Sequence, residues 1–198
     1  MGMEKYLESS AFIDWRHPAI VELAVELAEM SHSETELAKL CFEWVRDNIR
    51  HNWDYQQSPV TCKASDVLLH RTGYCYAKSH LLAALLRANE IPAGLCYQRL
   101  SLEGNGPPYC MHGLNCVYLQ DYGWHRIDSR GNQPGVDAEF QPLTECLALI
   151  ASGPSEANFS GIYAEPLPVV AEVLTSRACI FDVFQHLPDM PIHLGHKP

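Results

Sequence analysis

The sequence lacks a long apolar run. Its longest one, around residues 81–86, is much shorter than the ~18 residues that a membrane-spanning helix needs. The first ten residues, MGMEKYLESS, also lack the basic and apolar regions of a secretory signal peptide. We therefore expect a cytoplasmic protein that has no membrane partner.

The sequence is also poor in basic residues. Fourteen Lys and Arg residues stand against 24 Asp and Glu residues, so the formal net charge is −10. Such a charge repels nucleic acid and anionic membranes, which argues against a nucleic-acid partner. No Gly-rich phosphate-binding loop and no internal repeat is present, which argues against a Rossmann-type nucleotide-binding protein and a solenoid.

Cysteine is the residue type that could form cross-links. The eight cysteines are too sparse in 198 residues for the disulfide framework of a small secreted domain. Several stand among apolar neighbours, where a free cysteine packs as a small hydrophobic residue. We therefore expect reduced thiols at these positions: Cys41, Cys62, Cys75, Cys96, Cys110, Cys116, Cys146 and Cys179.

The length and composition predict one globular domain over residues 1–198. Hydrophobic residues make up 47% and charged residues 19% of the chain, which is ordinary for a folded protein. Apolar residues recur at helical spacing in the first half, and a capping-box pattern opens the second segment at residue 33. The predicted helices cover residues 17–30, 33–48, 64–69 and 75–89, with a loop at 50–63.

The second half changes to the period of β-strands. Strands are predicted at residues 94–102, 112–119 and 124–128, with a chain reversal at 120–123 between the last two. Residues 142–150 are expected to be helical, and residues 153–168 to run irregularly over the surface. Helices followed by consecutive antiparallel strands predict an α+β fold with the helices on one side of the sheet.

Cys75 is the first candidate catalytic residue. It follows Gly73, which would permit a sharp turn, and it begins a long helix. The positive end of a helix dipole favours the thiolate, which is the nucleophilic form, and free backbone N–H groups there can stabilise an oxyanion. The alternative is a buried cysteine with a packing role beside a tight turn.

His112 and Asp128 complete a candidate triad. His112 is expected to open a strand at the sheet edge, and Asp128 to end the next one. If Tyr118 pairs with Trp124, the two side chains are diagonal neighbours within reach of a hydrogen bond, whereas a slip of one residue puts them on opposite faces. The alternatives are an unrelated histidine and a turn residue at the end of a strand.

The residues that carry this pattern resemble the transglutaminase-like superfamily. The runs ASDVLLHRTGYCYAKSHLLAALLRANEIPA and HGLNCVYLQDYGWHRIDSR contain a helix-initial Cys after a Gly, a strand entry at IPA, and a Gly-Trp turn before an Asp. The resemblance covers about residues 35–130. It implies a papain-like core whose cysteine helix packs on an antiparallel sheet, with the flanking segments in the same domain. It further implies that Cys75 is the nucleophile, His112 the general base and acid, and Asp128 the orienting residue.

The sequence departs from the family at two places. Leu114 replaces a usual Trp two residues after the histidine, and Cys116 replaces a frequent acidic residue. These changes concern packing or substrate contacts rather than the nucleophile. For a side-chain oxyanion donor the sequence offers only weak candidates in the upstream loop, namely Trp53, Tyr55 and Gln56.

A metal site is the competing interpretation of the second half. Cys110, His112 and Cys116 share one side of a strand and could supply three zinc ligands. No fourth ligand stands at zinc-finger spacing, so no metal and no cofactor is expected.

The function that follows is acyl chemistry on an amide, with a peptide or amide as substrate. A thioester on Cys75 would be resolved by water or by an amine. Eukaryotic family members transfer the acyl group to a Lys amine and need calcium, but this sequence has no Asp/Glu-dense loop of the calcium-binding kind. Hydrolysis by a protease or amidase is therefore preferred over cross-linking. A non-catalytic binding module on the same fold is the other alternative, and the oligomeric state stays open.

Overall fold

A computed structural model describes residues 2–104 and 106–192. It has an α+β architecture, as the sequence predicts. The α-helices are α1 (Pro18–Glu29), α2 (Glu34–Asn48), α3 (Asn52–Tyr55), α4 (Ala64–His70), α5 (Cys75–Ala88), α6 (Pro168–Ser176) and α7 (Ile180–Gln185). The strands are β1 (Arg50–His51), β2 (Thr72–Gly73), β3 (Ala93–Ser101), β4 (Tyr109–Leu119), β5 (Gly123–Ile127) and β6 (Ala157–Asn158).

Helix α5 lies at the centre of the molecule. It is buried from Cys75 to Arg87 because its sequence is apolar around most of its circumference. Strands β3 and β4 pack on one part of its surface, and α1, α2 and α4 pack on the rest. No helix in the part of the chain that the model describes is long and apolar enough to cross a membrane.

The main sheet is antiparallel and has the order β5-β4-β3-β6. Tyr118 pairs with Trp124, which is the register that a contact of His112 with Asp128 requires, and residues 120–122 form the reversal between β4 and β5. Continuing this register by one step places Asp128 opposite Leu114. His112 and Asp128 therefore share one face of the sheet, because side chains two residues apart on a strand point the same way.

Three predictions about local structure are wrong. His112 lies within β4 rather than at its start. The pairing of β4 with β5 begins at Asn115, so among the described residues His112 is paired only on the β3 side, with Gln98. Residues 142–150 are not helical, because backbone N–H groups there bond to distant partners: Ala148 N–H donates to Asp128. The predicted loop at 50–63 contains β1 and α3.

Arg87 ties both flanking segments to the core. Its buried guanidinium donates hydrogen bonds of 2.6–3.0 Å to the carbonyl oxygens of Glu8, Ala93 and Ala164. Burial lowers the pKa of Arg87 to about 10, so the group is still charged at neutral pH. The segments before and after the sheet are thus joined through one side chain.

We expect Arg87→Met to lower the free energy of unfolding by about 3 kcal/mol or more, because each buried acceptor left without a donor costs about 1–3 kcal/mol. Urea denaturation measures the change. The exposed Arg16 supplies the matched control, and Arg16→Met should change stability by less than about 0.5 kcal/mol. Equal stability of the two variants would contradict this role of Arg87.

Candidate active site

Cys75 is the first residue of α5, where its position is fixed by a short parallel pair of strands. Tyr74 is the N-cap residue, and β2 pairs with β1 so that Gly73 lies opposite His51. Gly73 is needed for close packing rather than for a turn. A Cβ atom at this position would lie 3.1 Å from the Ala77 Cβ and 3.2 Å from the Thr61 Oγ1.

His112 and Asp128 form a buried pair. The His112 Nε2 lies 2.7 Å from the Asp128 Oδ2, and the two side chains are 4% and 1% exposed. Backbone N–H groups of Arg130 and Ala148 also donate to the carboxylate, at 3.1 and 3.2 Å. Because Nε2 bonds to Asp128, Nδ1 is the ring nitrogen that remains for Cys75.

Gly113 brings the strand against the start of the helix. Its N–H donates to the Cys75 Sγ at 3.4 Å. A Cβ atom on residue 113 would lie 2.8 Å from the Tyr76 Cδ1 and 3.0 Å from the Tyr76 Cα, so a side chain does not fit there. The missing side chain allows Cys75 and the neighbouring His112 to lie side by side.

The electrostatics of the three groups favour an ion pair. Burial alone would raise the pKa of the Cys75 thiol, but the charges and hydrogen bonds of His112 and His51 lower it well below its ordinary value. Burial alone would lower the pKa of His112, but Asp128 and the Cys75 thiolate raise it. Burial alone would raise the pKa of Asp128, but the charge of His112 lowers it. The arrangement therefore favours the thiolate form of Cys75 at neutral pH and at mildly acidic pH.

We expect iodoacetamide to modify Cys75 selectively at pH ~6.5, well below the ordinary thiol pKa of about 8.5, because only the thiolate reacts. Burial raises the pKa of Cys41, Cys62 and Cys110 to about 12, so these thiols should stay unmodified. Peptide mass spectrometry after timed quenching measures each rate, with the exposed Cys179 as internal reference. A Cys75 that reacts no faster than Cys179 would contradict the thiolate assignment.

His51 is a second imidazole beside Cys75 that the sequence did not single out. It lines the same cleft as Cys75, lowers the pKa of the Cys75 thiol, is 7% exposed, and packs edge-on against Tyr74 with 5.5 Å between ring centroids. Its Nδ1 lies 3.5 Å from the Asp54 Oδ2. The one local signal was the i, i+3 spacing of His51 and Asp54, which a short helix brings to one side.

The three weak candidates for an oxyanion donor have other contacts or positions. Trp53 lines the cleft in front of Cys75, but its ring stacks on Phe184 with a centroid distance of 3.5 Å. Tyr55 is exposed and faces a separate depression with Arg46. The Gln56 side chain donates to the Trp53 carbonyl oxygen at 2.6 Å. The side chain from this part of the chain that lowers the pKa of the Cys75 thiol is that of His51.

The residues of the alternative zinc site are held by other partners. His112 bonds to Asp128, and Cys116 packs against Cys96 and Leu114 in a small apolar cluster. Cys110 lines the cleft. Within residues 2–104 and 106–192, no group of three His, Cys, Asp or Glu side chains is placed to hold a metal ion.

A cleft of about 460 Å³ opens onto the candidate triad, and most of its walls are apolar. Cys75, His112 and His51 form its floor. Hydrophobic side chains from four separate segments form the walls: Leu100, Leu102, Met111, Leu149, Ile150, Phe184 and Leu187.

The C-terminal segment supplies one wall of this cleft, which the sequence did not indicate. Tyr74 Oη donates to the Ile180 carbonyl oxygen at 2.5 Å, and Met111 N–H donates to the Pro188 carbonyl oxygen at 2.7 Å. Arg99 pairs with Asp189 at 2.6 Å. These contacts attach α7 and the following residues beside the site, where they position Phe184 and Leu187.

Two solved structures are similar to this chain, and the first of them shows the same fold. A proposed cysteine protease from Cytophaga hutchinsonii is 21% identical, with a TM-score of 0.51, over 65% of this chain and 42% of that chain. The periplasmic domain of TgpA from Pseudomonas aeruginosa is 18% identical, with a TM-score of 0.48, over 64% of this chain and 46% of that chain. The chain thus spans less than half the length of either structure. A search of curated proteins finds no match.

The family assignment comes from a sequence model. The model of the transglutaminase-like superfamily matches residues 21–129, which is more than half of the 198 residues. This range begins in α1 and ends one residue after Asp128, so it contains the central helix and all three candidate residues. The chain belongs to the transglutaminase-like superfamily.

Proposed function

We propose that the protein hydrolyses a peptide or carboxamide bond through a thioester on Cys75. The observation that carries this proposal is the contact of a helix-initial cysteine with an imidazole that is held by a buried carboxylate. This is the arrangement that nucleophilic acyl transfer by cysteine requires. The cytoplasmic location with reduced thiols belongs to the same proposal.

Each group has a defined part in the proposed reaction. The Cys75 thiolate attacks the carbonyl carbon, and the free N–H groups at the start of α5 donate to the developing oxyanion. His112 gives its proton to the leaving amine and then takes one from the attacking water. Asp128 orients the imidazole and stabilises its charge.

The apolar walls of the cleft favour a substrate with an apolar acyl group. The side chains nearest the candidate triad are aliphatic or aromatic, with Met111, Leu100 and Phe184 among them. An apolar substrate group buried there gains about 25 cal/mol per Å² that is removed from water. We therefore propose a substrate that carries an apolar side chain next to the scissile carbonyl.

p-Nitrophenyl esters test this function because they acylate an activated thiolate without a specific leaving group. We expect a burst of p-nitrophenol, an acyl adduct on Cys75 in the intact-mass spectrum, and faster acylation by the hexanoate than by the acetate. Lysine methyl ester added as an acceptor distinguishes hydrolysis from amine transfer. The carboxylic acid should remain the main product at millimolar amine.

Two outcomes would contradict the proposal. Absence of an adduct on Cys75 with either ester would remove the enzymatic function and favour a binding module. Efficient capture of the acyl group by the amine would replace hydrolysis by cross-linking chemistry.

A further inference from the structure

A chain of polar contacts connects His51 with His112, and both imidazoles line the cleft with Cys75. Its Nδ1 faces Asp54, and the Asp54 carboxylate pairs with the Arg130 guanidinium at 2.8 and 3.0 Å. The Arg130 backbone N–H donates to Asp128, which in turn bonds to His112. Two imidazoles, each backed by a carboxylate, thus flank one thiol.

The surroundings define which His51 nitrogen can act. Asp54 is an acceptor beside Nδ1, so Nε2 is the ring nitrogen that remains for Cys75. A thiolate there is also an acceptor. A hydrogen on Nε2 therefore satisfies this neighbour. Among the described residues Nδ1 makes no hydrogen bond, and the Asp54 Oδ2 lies 3.5 Å away, so Asp54 acts on the ring through its charge.

The backbone holds this imidazole in place without help from a ligand. The parallel pairing of β1 with β2 puts His51 opposite Gly73, two residues before the sulfur. Asn52, the next residue, is fully buried and donates to the Gln57 and Pro59 carbonyl oxygens at 2.5 and 3.0 Å. A donor that is positioned before the substrate arrives stabilises a transition state most effectively.

We propose that the His51 imidazole is the side-chain donor for the oxyanion, in addition to its contact with the thiolate. This inference rests on the proposed thioester chemistry. When the sulfur attacks, the S–C bond forms and the carbonyl π electrons move to oxygen. The Nε2–H of His51 then donates to that oxygen instead of to the sulfur, while the proton for the leaving amine comes from His112. His51 neither gains nor loses a proton in this step.

Two reagents separate this role from simple support of the thiolate. Acylation by p-nitrophenyl acetate passes through an oxyanion, whereas alkylation by iodoacetamide displaces iodide and forms none. For His51→Ala we expect acylation to fall by about 10²- to 10³-fold, the usual cost of losing one oxyanion donor, and alkylation at pH 6.5 to fall by less than about tenfold. His51→Gln should recover part of the acylation rate, because its amide can donate a hydrogen bond.

The exposed His70 supplies the matched control, and His70→Gln should leave both rates unchanged. Retained alkylation of Cys75 also shows that each variant is folded around the site. Equal losses in the two reactions would overturn the oxyanion role and leave His51 as a support of the anion. An unchanged acylation rate in both His51 variants would overturn it as well. A parent protein that is not acylated on Cys75 would contradict the proposed function itself and this inference with it.

Discussion

Cys75→Ser is expected to abolish thioester formation, with acylation by p-nitrophenyl esters reduced by about 10⁴-fold or more. A serine hydroxyl keeps nearly the same volume but stays protonated at neutral pH, so His112 and His51 would flank a weak nucleophile. The measurement is the burst of p-nitrophenol together with the intact mass of the protein after incubation.

Cys110 offers a control in the same cleft. It lines the cavity, and burial raises the pKa of its thiol to about 12. Cys110→Ser should therefore keep the burst and the adduct on residue 75. Acylation that persists in Cys75→Ser and disappears in Cys110→Ser would show that Cys110 is the nucleophile.

His112→Ala is expected to lower acylation by about 10⁴-fold, because the thiol loses its partner charge and the leaving group loses its proton donor. The loss should be larger for an acyl p-nitroanilide than for the p-nitrophenyl ester, since an expelled amine needs a proton and p-nitrophenolate does not. Parallel rate measurements with the two substrates test this difference. Equal losses would mean that His112 supports the thiolate only.

The neighbouring carboxylate should have a smaller effect. We expect Asp128→Asn to retain about ten to a hundred times more activity than His112→Ala, because orientation of the imidazole is lost while the imidazole itself remains. Asp128 also accepts N–H groups from Arg130 and Ala148, so thermal melting must accompany the rates. Activity of Asp128→Asn below that of His112→Ala would contradict a purely orienting role.

Local patterns were sufficient to predict the central helix and the contact of His112 with Asp128. The spacing of apolar residues predicts the helix. Cys75 is a candidate nucleophile because it is the first residue of that helix. The contact depends on the register of β4 and β5, which is fixed by the length of one three-residue reversal between Leu119 and Gly123. In each case a short stretch of chain determines the geometry.

The rest of the site depends on contacts between segments that are distant in sequence. His51 reaches the sulfur through a two-residue parallel pair, which is too short to leave a periodic signal. The irregular path of residues 142–150 reflects a hydrogen bond from Ala148 to Asp128, 20 residues earlier. Phe184 is placed in the cleft by stacking on Trp53, more than a hundred residues away. Spacing within one segment cannot show such contacts.

The missing side chain at Gly113 has a consequence for how substrates are accommodated. Because the strand backbone lies directly on Tyr76, the strand that carries His112 has no room to move closer to the start of α5. We therefore expect substrates to be accommodated at the cleft walls that Leu102, Ile150 and Phe184 supply from outside the strand–helix contact. Evolution of new substrate preferences should concentrate on these three segments and leave residue 113 unchanged.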